Sequence, residues 1–139
     1  MATIQFEGEY KHLKAIAEFV KAEACKLPFT NKELYAIELA MDEAASNIID
    51  HAYQGEDIGY LHLTVESLPD YLKIVLEDHG TPFDPSLVAK PDLTSPLELR
   101  SERGLGVYTM YKMMDSVEFD FSEPGTNRLT MIKKVRSAK

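Results

Sequence analysis

Cysteine is nearly absent from this 139-residue chain: Cys25 stands alone. That excludes an internal disulfide and leaves no cysteine zinc site. Lying among Ala24, Lys26 and Leu27 at the end of a helical stretch, it reads as structural filler. Basic residues are also scarce, with 15 Lys and Arg against 23 Asp and Glu, for a net charge of −8. Affinity for nucleic-acid backbones comes mainly from basic patches, so no direct nucleic-acid partner is expected. The short basic end from Lys133 to Lys139 reads as a strand end and solvated tail. No apolar run approaches the roughly 18 residues of a membrane span. The opening MATIQFEGEY lacks the basic start and apolar core of a signal peptide. No H-E-x-x-H or comparable ligand spacing occurs, so a metal cage built by the protein alone is not expected. Ser46 and Ser101 have no visible base partner, which leaves Ser-His-Asp hydrolysis unsupported. These absences predict an acidic, cytoplasmic protein with no membrane contact.

What the chain does have is periodicity. With 45% hydrophobic residues it can bury a sizeable core, and we expect a single domain over 1–139. Thr3 to Phe6 alternates weakly, as a short strand would. Tyr10 to Leu27 carries Leu13, Ile16, Ala17, Val20 and Ala24 at helical steps, and Pro28 ends it. A second helix is expected from Thr30. Thr30 and Glu33 are spaced as a capping box, Phe29 and Leu34 as a hydrophobic staple. Leu34, Ile37, Met41, Ala44, Ala45 and Ile48 then form one apolar face, and Gln54-Gly55 ends the run.

Ile58 to Glu66 and Tyr71 to Glu77 alternate with period two around a Leu68-Pro69-Asp70 turn, which predicts a hairpin. Ser86 to Arg103 is long, proline-bearing and mixed in charge, a composition typical of a lid over a site. A helix over Val107 to Asp115 should turn Val107, Met110, Tyr111 and Met114 to one face. Val117 to Phe121 and Arg128 to Val135 complete a second hairpin around Glu123-Pro124-Gly125. The predicted fold class is therefore α+β: a two-layer sandwich whose mostly antiparallel mixed sheet is covered on one face by helices.

Three stretches can carry chemistry. Glu43, Asn47 and His51 follow one another at four-residue steps, stacked along one side of the second helix beside its apolar face. Such a row is either an ordinary solvated stripe or a shared ligand surface. Asp78, at the exit of a strand and followed by Gly80, either caps its own turn or accepts a bond from a ligand amine. Gly104-Leu105-Gly106 opens a helix, where backbone N–H groups and the helix N-terminus favour phosphate. It is neither the dinucleotide pattern, because Thr109 fills the third glycine position, nor a Walker A motif.

Taken together the three stretches resemble the GHKL nucleotide-binding superfamily (the histidine-kinase-like ATPase fold), and within it the anti-sigma factor serine-protein kinases of bacterial partner-switching systems. The Glu-x-x-x-Asn box stands as Glu43 to Asn47, followed by His51-Ala52-Tyr53. Asp78-His79-Gly80 with Pro82-Phe83-Asp84-Pro85 forms the second box, and Arg103-Gly104-Leu105-Gly106-Val107-Tyr108 the third. The resemblance spans about Glu33 to Val135. It implies that Asn47 ligates Mg²⁺ on the ATP phosphates and that Glu43 is the general base for a protein serine hydroxyl. It gives Asp78 the adenine amino group, with Gly80 letting the base approach the backbone. Arg103, Gly104, Leu105 and Gly106 receive the phosphates beneath a lid of about 86–103, with Arg100 and Arg103 as alternatives for the γ-phosphate charge. Thr126 and Thr130 are alternatives for a polar residue framing the adenine from the last strand.

The activity implied is ATP-dependent serine phosphorylation of a small anti-anti-sigma antagonist, coupled to sequestration of a sigma factor by a homodimer. A nucleotide-responsive binding module without kinase activity needs the same pocket, and an unrelated metabolic ATPase can use the same fold. No histidine-phosphorylation segment is visible, so a complete sensor histidine kinase is not expected.

Overall fold

Alternation of apolar and polar residues organises the sheet. The computed structural model describes residues 2–49, 59–80 and 109–136. In chain order these form β1 (Ala2–Glu7), a 3₁₀ turn (Tyr10–His12), α1 (Leu13–Ala24), α2 (Asn31–Asn47), β2 (Tyr60–Ser67), β3 (Tyr71–Asp78), β4 (Ser116–Asp120) and β5 (Asn127–Lys134). Residues 109–113 are helical. The five strands lie in the order β1-β2-β3-β5-β4. All four pairings are antiparallel, so the described part of the sheet has no parallel component.

On β3, Leu72, Ile74, Leu76 and Asp78 are buried while the residues between them are partly exposed. Leu61, Leu63 and Val65 on β2, and Leu129 and Met131 on β5, fall on the same side by register. The helices cover that side. Ile16, Val20 and Ala24 of α1 and Ile37, Met41, Ala44 and Ala45 of α2 join those strand residues in one core. Alanines at positions 40, 44 and 45 are fully buried, which lets α2 approach its neighbours closely.

Local sequence sets the ends of these elements. The Thr30 hydroxyl accepts the Glu33 N–H at 3.1 Å, and the Glu33 carboxylate accepts the Thr30 N–H at 2.8 Å, completing the expected capping box. Phe29 and Leu34 both pack on the core. The β2–β3 turn closes through Leu68 N–H to Tyr71 O at 2.9 Å. Between β4 and β5, Thr126 N–H reaches Glu123 O at 3.1 Å, with Pro124 and Gly125 as the central residues. Gly125 has φ 75°, the left-handed value required at that position of a type II turn, which explains glycine there.

Three expectations are corrected. Tyr10–His12 forms a 3₁₀ turn, and α1 starts only at Leu13. Tyr111 is 50% exposed rather than part of the core face, and Met110 and Met114 alone of that described set are buried. Cys25 is exposed at the end of α1 and fills no core. No helix among the described residues is long and apolar enough to cross a membrane.

The cap and the packed face of α2 should contribute unequally to stability. In urea unfolding, Thr30→Ala should cost about 1 kcal/mol, the scale of a lost cap. Met41→Ala, at a position with no exposed surface, should cost about 2–5 kcal/mol. Equal losses would contradict packing as the main support of α2.

Candidate active site

The end of β3 and the start of β5 meet at a buried polar cluster. Asp78 and Asn127 are register partners across the two strands. Both lie on the helix-covered side, where Asp78 is only 4% exposed. A carboxylate so placed needs donors, and it has two. Asn127 Nδ2 donates to Asp78 Oδ1 at 2.7 Å, and Gly80 N–H donates to the same oxygen at 2.9 Å. The second proton of Asn127 Nδ2 goes to Gly80 O at 3.0 Å. The turn-capping and ligand-binding readings of Asp78 are thus compatible. Oδ1 closes the turn, and Oδ2 takes no bond among the described residues. Burial raises the Asp78 carboxyl above its ordinary value, against the downward pull of Asn127, Gly80 and the nearby His79.

Asn127 escaped the sequence reading, which offered Thr126 or Thr130 for the last strand. Thr130 pairs with Val75 and Glu118 and therefore faces the opposite side of the sheet from Asp78. Thr126 sits in the turn, its hydroxyl 3.5 Å from His79 Nδ1. His79 Nδ1 is itself 2.9 Å from Gly125 O, which ties the exit of β3 to the β4–β5 turn. The available signal for Asn127 was its parity with Leu129 and Met131. A polar residue in step with a core face needs a partner there.

Glu43 and Asn47 lie one turn apart in the last part of α2, both half-buried. They flank Ala44 and Ala45, which belong to the same core as Leu72, Ile74 and Leu76. Glu43 and Asn47 thus lie on α2 beside the core that also packs the buried face of β3. Burial, and secondarily the charge of Asp42, raises the Glu43 carboxyl. Asp42 is raised as well, by burial and by Glu38. Just after Asn47 the chain widens into a π-turn over 48–49, a feature common beside functional residues. His51, the Pro82 to Pro85 segment, the 86–103 lid with Arg100, and Arg103, Gly104, Leu105 and Gly106 lie outside the described residues.

A family model described as the histidine kinase-like ATPase domain matches residues 6–133. The chain belongs to that family. Serine-protein kinase RsbW of Bacillus cereus (strain Q1) is 32% identical over 137 residues, covering 91% of this chain and 85% of the relative. Serine-protein kinase RsbW of Bacillus mycoides (strain KBAB4) is 31% identical over the same coverage. Among solved structures, the nucleotide-free catalytic domain of histidine kinase ThkA superposes with a TM-score of 0.55. It is 14% identical, covers 96% of this chain and 97% of that domain, and thus supports the fold alone.

In this histidine-kinase-like ATPase domain, the burial of Asp78 sets an expected pH dependence of stability. Its raised folded-state pKa means that the folded chain holds the proton more tightly than the unfolded one. Stability from this group therefore falls as pH rises from 3.8 through the folded value. Asp78→Asn keeps an oxygen to accept both bonds and removes the buried charge. Urea unfolding of both proteins between about pH 4 and about pH 8 should find the variant at least as stable at neutral pH, with the gap closing toward acid. A variant less stable by more than about 1 kcal/mol at neutral pH would mean that the charged hydrogen bonds outweigh the burial cost.

Proposed function

We propose that this protein is an ATP-dependent serine-protein kinase that acts as an anti-sigma factor. The observation that carries the reading is Glu43, a half-buried carboxyl whose proton affinity is raised by burial, one helical turn before Asn47. Family membership and RsbW relatives named as serine-protein kinases support it.

The adenine end suits Asp78. Oδ1 is held by Asn127 and Gly80, leaving Oδ2 to accept an exocyclic amine. The Asn47 side-chain amide oxygen is a hard ligand at the edge of the interlayer space, suited to Mg²⁺, which takes few protein ligands. When bound, Mg²⁺ supplies charge neutralisation at the phosphates. Arg103, Gly104, Leu105 and Gly106 receive those phosphates under the 86–103 lid, in this reading. Transfer forms a bond between a substrate serine oxygen and the γ-phosphorus and breaks the bond to the β–γ bridging oxygen, releasing ADP. The hydroxyl proton passes to the Glu43 carboxylate, whose pKa is raised by burial, which improves it as an acceptor.

The substrate in this reading is a small anti-anti-sigma antagonist, and the unphosphorylated antagonist competes with a sigma factor for a homodimer of this chain in the cytoplasm. Phosphorylation then releases the antagonist and restores sigma-factor binding.

Two substitutions separate binding from chemistry. Asn47→Ala should weaken nucleotide binding in Mg²⁺ and phosphorylation together. Glu43→Gln keeps shape but cannot take the proton. It should hold nucleotide affinity within a few fold and slow single-turnover transfer by about 10²–10⁴. Transfer at the wild-type rate in Glu43→Gln would remove Glu43 as the base. Nucleotide binding without any transfer by the wild type would instead make this a nucleotide-responsive binding module.

A further inference from the structure

A second cluster lies outside the nucleotide site, where β1 turns into α1. Glu7, Glu9 and His12 each place one ligand atom within 4.8 Å of the other two. His12 Nε2 is 3.3 Å from Glu9 Oε2 and 3.9 Å from Glu7 Oε1. Glu9 is only 9% exposed. Its Oε2 and the Nε2 of His12 are both shut off from solvent, and neither makes a hydrogen bond. The two atoms stand at ion-pair distance yet meet no hydrogen-bond geometry, which leaves both incompletely satisfied in a buried place. Lys11 Nζ approaches the same Glu9 oxygen at 3.4 Å, but its side chain is 70% exposed and can swing into solvent.

The backbone holds the cluster in place. Glu9 N–H bonds Glu7 O at 2.8 Å, a tight turn that draws the two carboxylates to one side. Gly8 N–H bonds Gly59 O at 2.8 Å, fixing that turn beside the start of β2. His12 N–H bonds Glu9 O at 3.1 Å, which brings the imidazole back over Glu9. The Phe6 ring lies against the imidazole with centroids 6.0 Å apart.

We propose that Glu7, Glu9 and His12 form a binding site for a divalent transition metal of the zinc class. Zinc bonds of about 2.0–2.2 Å to nitrogen and oxygen in a tetrahedron put neighbouring ligand atoms about 3.3–3.6 Å apart. The Glu9–His12 distance has that length, and Glu7, 3.9 Å from His12 with a side chain 55% exposed, is free to rotate and close its two edges. The fourth position faces solvent and takes water. An imidazole nitrogen with two carboxylates favours zinc or a neighbouring transition metal over magnesium or calcium, which prefer all-oxygen sets. The metal satisfies both solvent-excluded atoms at once and displaces Lys11. Sequence spacing did not predict this site, because Glu-x-Glu-x-x-His is gathered by a turn and not along one helix face.

The test uses tag-free, nucleotide-free protein carrying Cys25→Ser, which removes the exposed thiol as a competing zinc ligand. Zinc is titrated against a chromophoric chelator, with magnesium in parallel. The expected result is one zinc per chain, no competition from magnesium, and a loss of at least about tenfold in affinity with His12→Ala. Lys11→Met should bind zinc at least as tightly as its parent. Long-range ¹⁵N spectra of the histidines should shift His12 Nε2 on zinc addition and leave His62 and His79 unchanged, a readout that needs no variant. Zinc affinity unchanged by His12→Ala, absence of zinc uptake, or a shift confined to another histidine would each overturn the proposal. ADP affinity in Mg²⁺ should be the same in His12→Ala and its parent, so this test fails or succeeds independently of the nucleotide site.

Discussion

The register of β3 against β5 is the constraint on which both the core and the candidate site depend. Because side chains alternate across a strand, a slip of one residue would exchange the two faces of the sheet. The buried set Leu72, Ile74, Leu76 and Asp78 would then give way to Tyr71, Lys73, Val75 and Glu77. Burial of Leu72, Ile74 and Leu76 on β3 and of Leu129 and Met131 on β5 decides the matter, at about 1.5–3 kcal/mol each. On the opposite face Arg128 bonds Glu77 at 2.8 Å in the same register, but a half-exposed ion pair contributes little. The same apolar packing that selects the register also carries Asp78 and Asn127 into the interior opposite each other. The site is thus positioned by the core, and its polar bonds refine a placement already made.

That placement has an energetic cost. A carboxylate in the interlayer space is held there by an amide and one backbone N–H, both on a single oxygen. Burial still outweighs these bonds and raises the carboxyl. The same holds at the far end of α2, where Asp42 and Glu43 are both raised chiefly by burial. Elsewhere the chain treats buried acids differently. Glu23, also buried, receives Lys26 at 2.6 Å and Ser67 at 3.2 Å, and its carboxyl is lowered. Glu23 ties α1 to the end of β2 as a structural acid, whereas the Asp78 carboxyl has donors on one oxygen only among the described residues.

What the sequence revealed follows from what is local. The Thr30–Glu33 cap, the Leu68–Tyr71 turn, the Pro124–Gly125 turn and the alternation of β2 and β3 all depend on residues a few positions apart, and each lies where periodicity and turn chemistry put it. Glu43, Asn47 and Asp78 stand out as candidates because motif boxes mark them, and their roles belong to the proposal. Asn127 does not, because its partner is 49 residues away and only strand pairing reveals that it faces Asp78. Parity on β5 likewise turns Thr130 to the face opposite Asp78, whereas Thr126 precedes the strand and lies beside His79. Tyr111 was misread because a helical face predicts core only where a neighbouring layer covers it. The Glu7–Glu9–His12 cluster combines a strand end, a tight turn and a 3₁₀ turn, a sequence of conformations with no single period to read.

The central claim is that the buried Asp78 carboxylate recognises the amino group of adenine. The most direct measurement compares ADP with inosine diphosphate, which replaces that amine by a carbonyl oxygen, by calorimetry in Mg²⁺. A carboxylate facing the amine gains a charged hydrogen bond of about 1.5–3 kcal/mol, so the inosine nucleotide should bind at least about tenfold more weakly than ADP. In Asp78→Asn the gap between the two nucleotides should shrink, because an amide can meet either group. Equal affinity of the wild type for ADP and inosine diphosphate would contradict the account, leaving Asp78 as a turn residue buried for its own backbone.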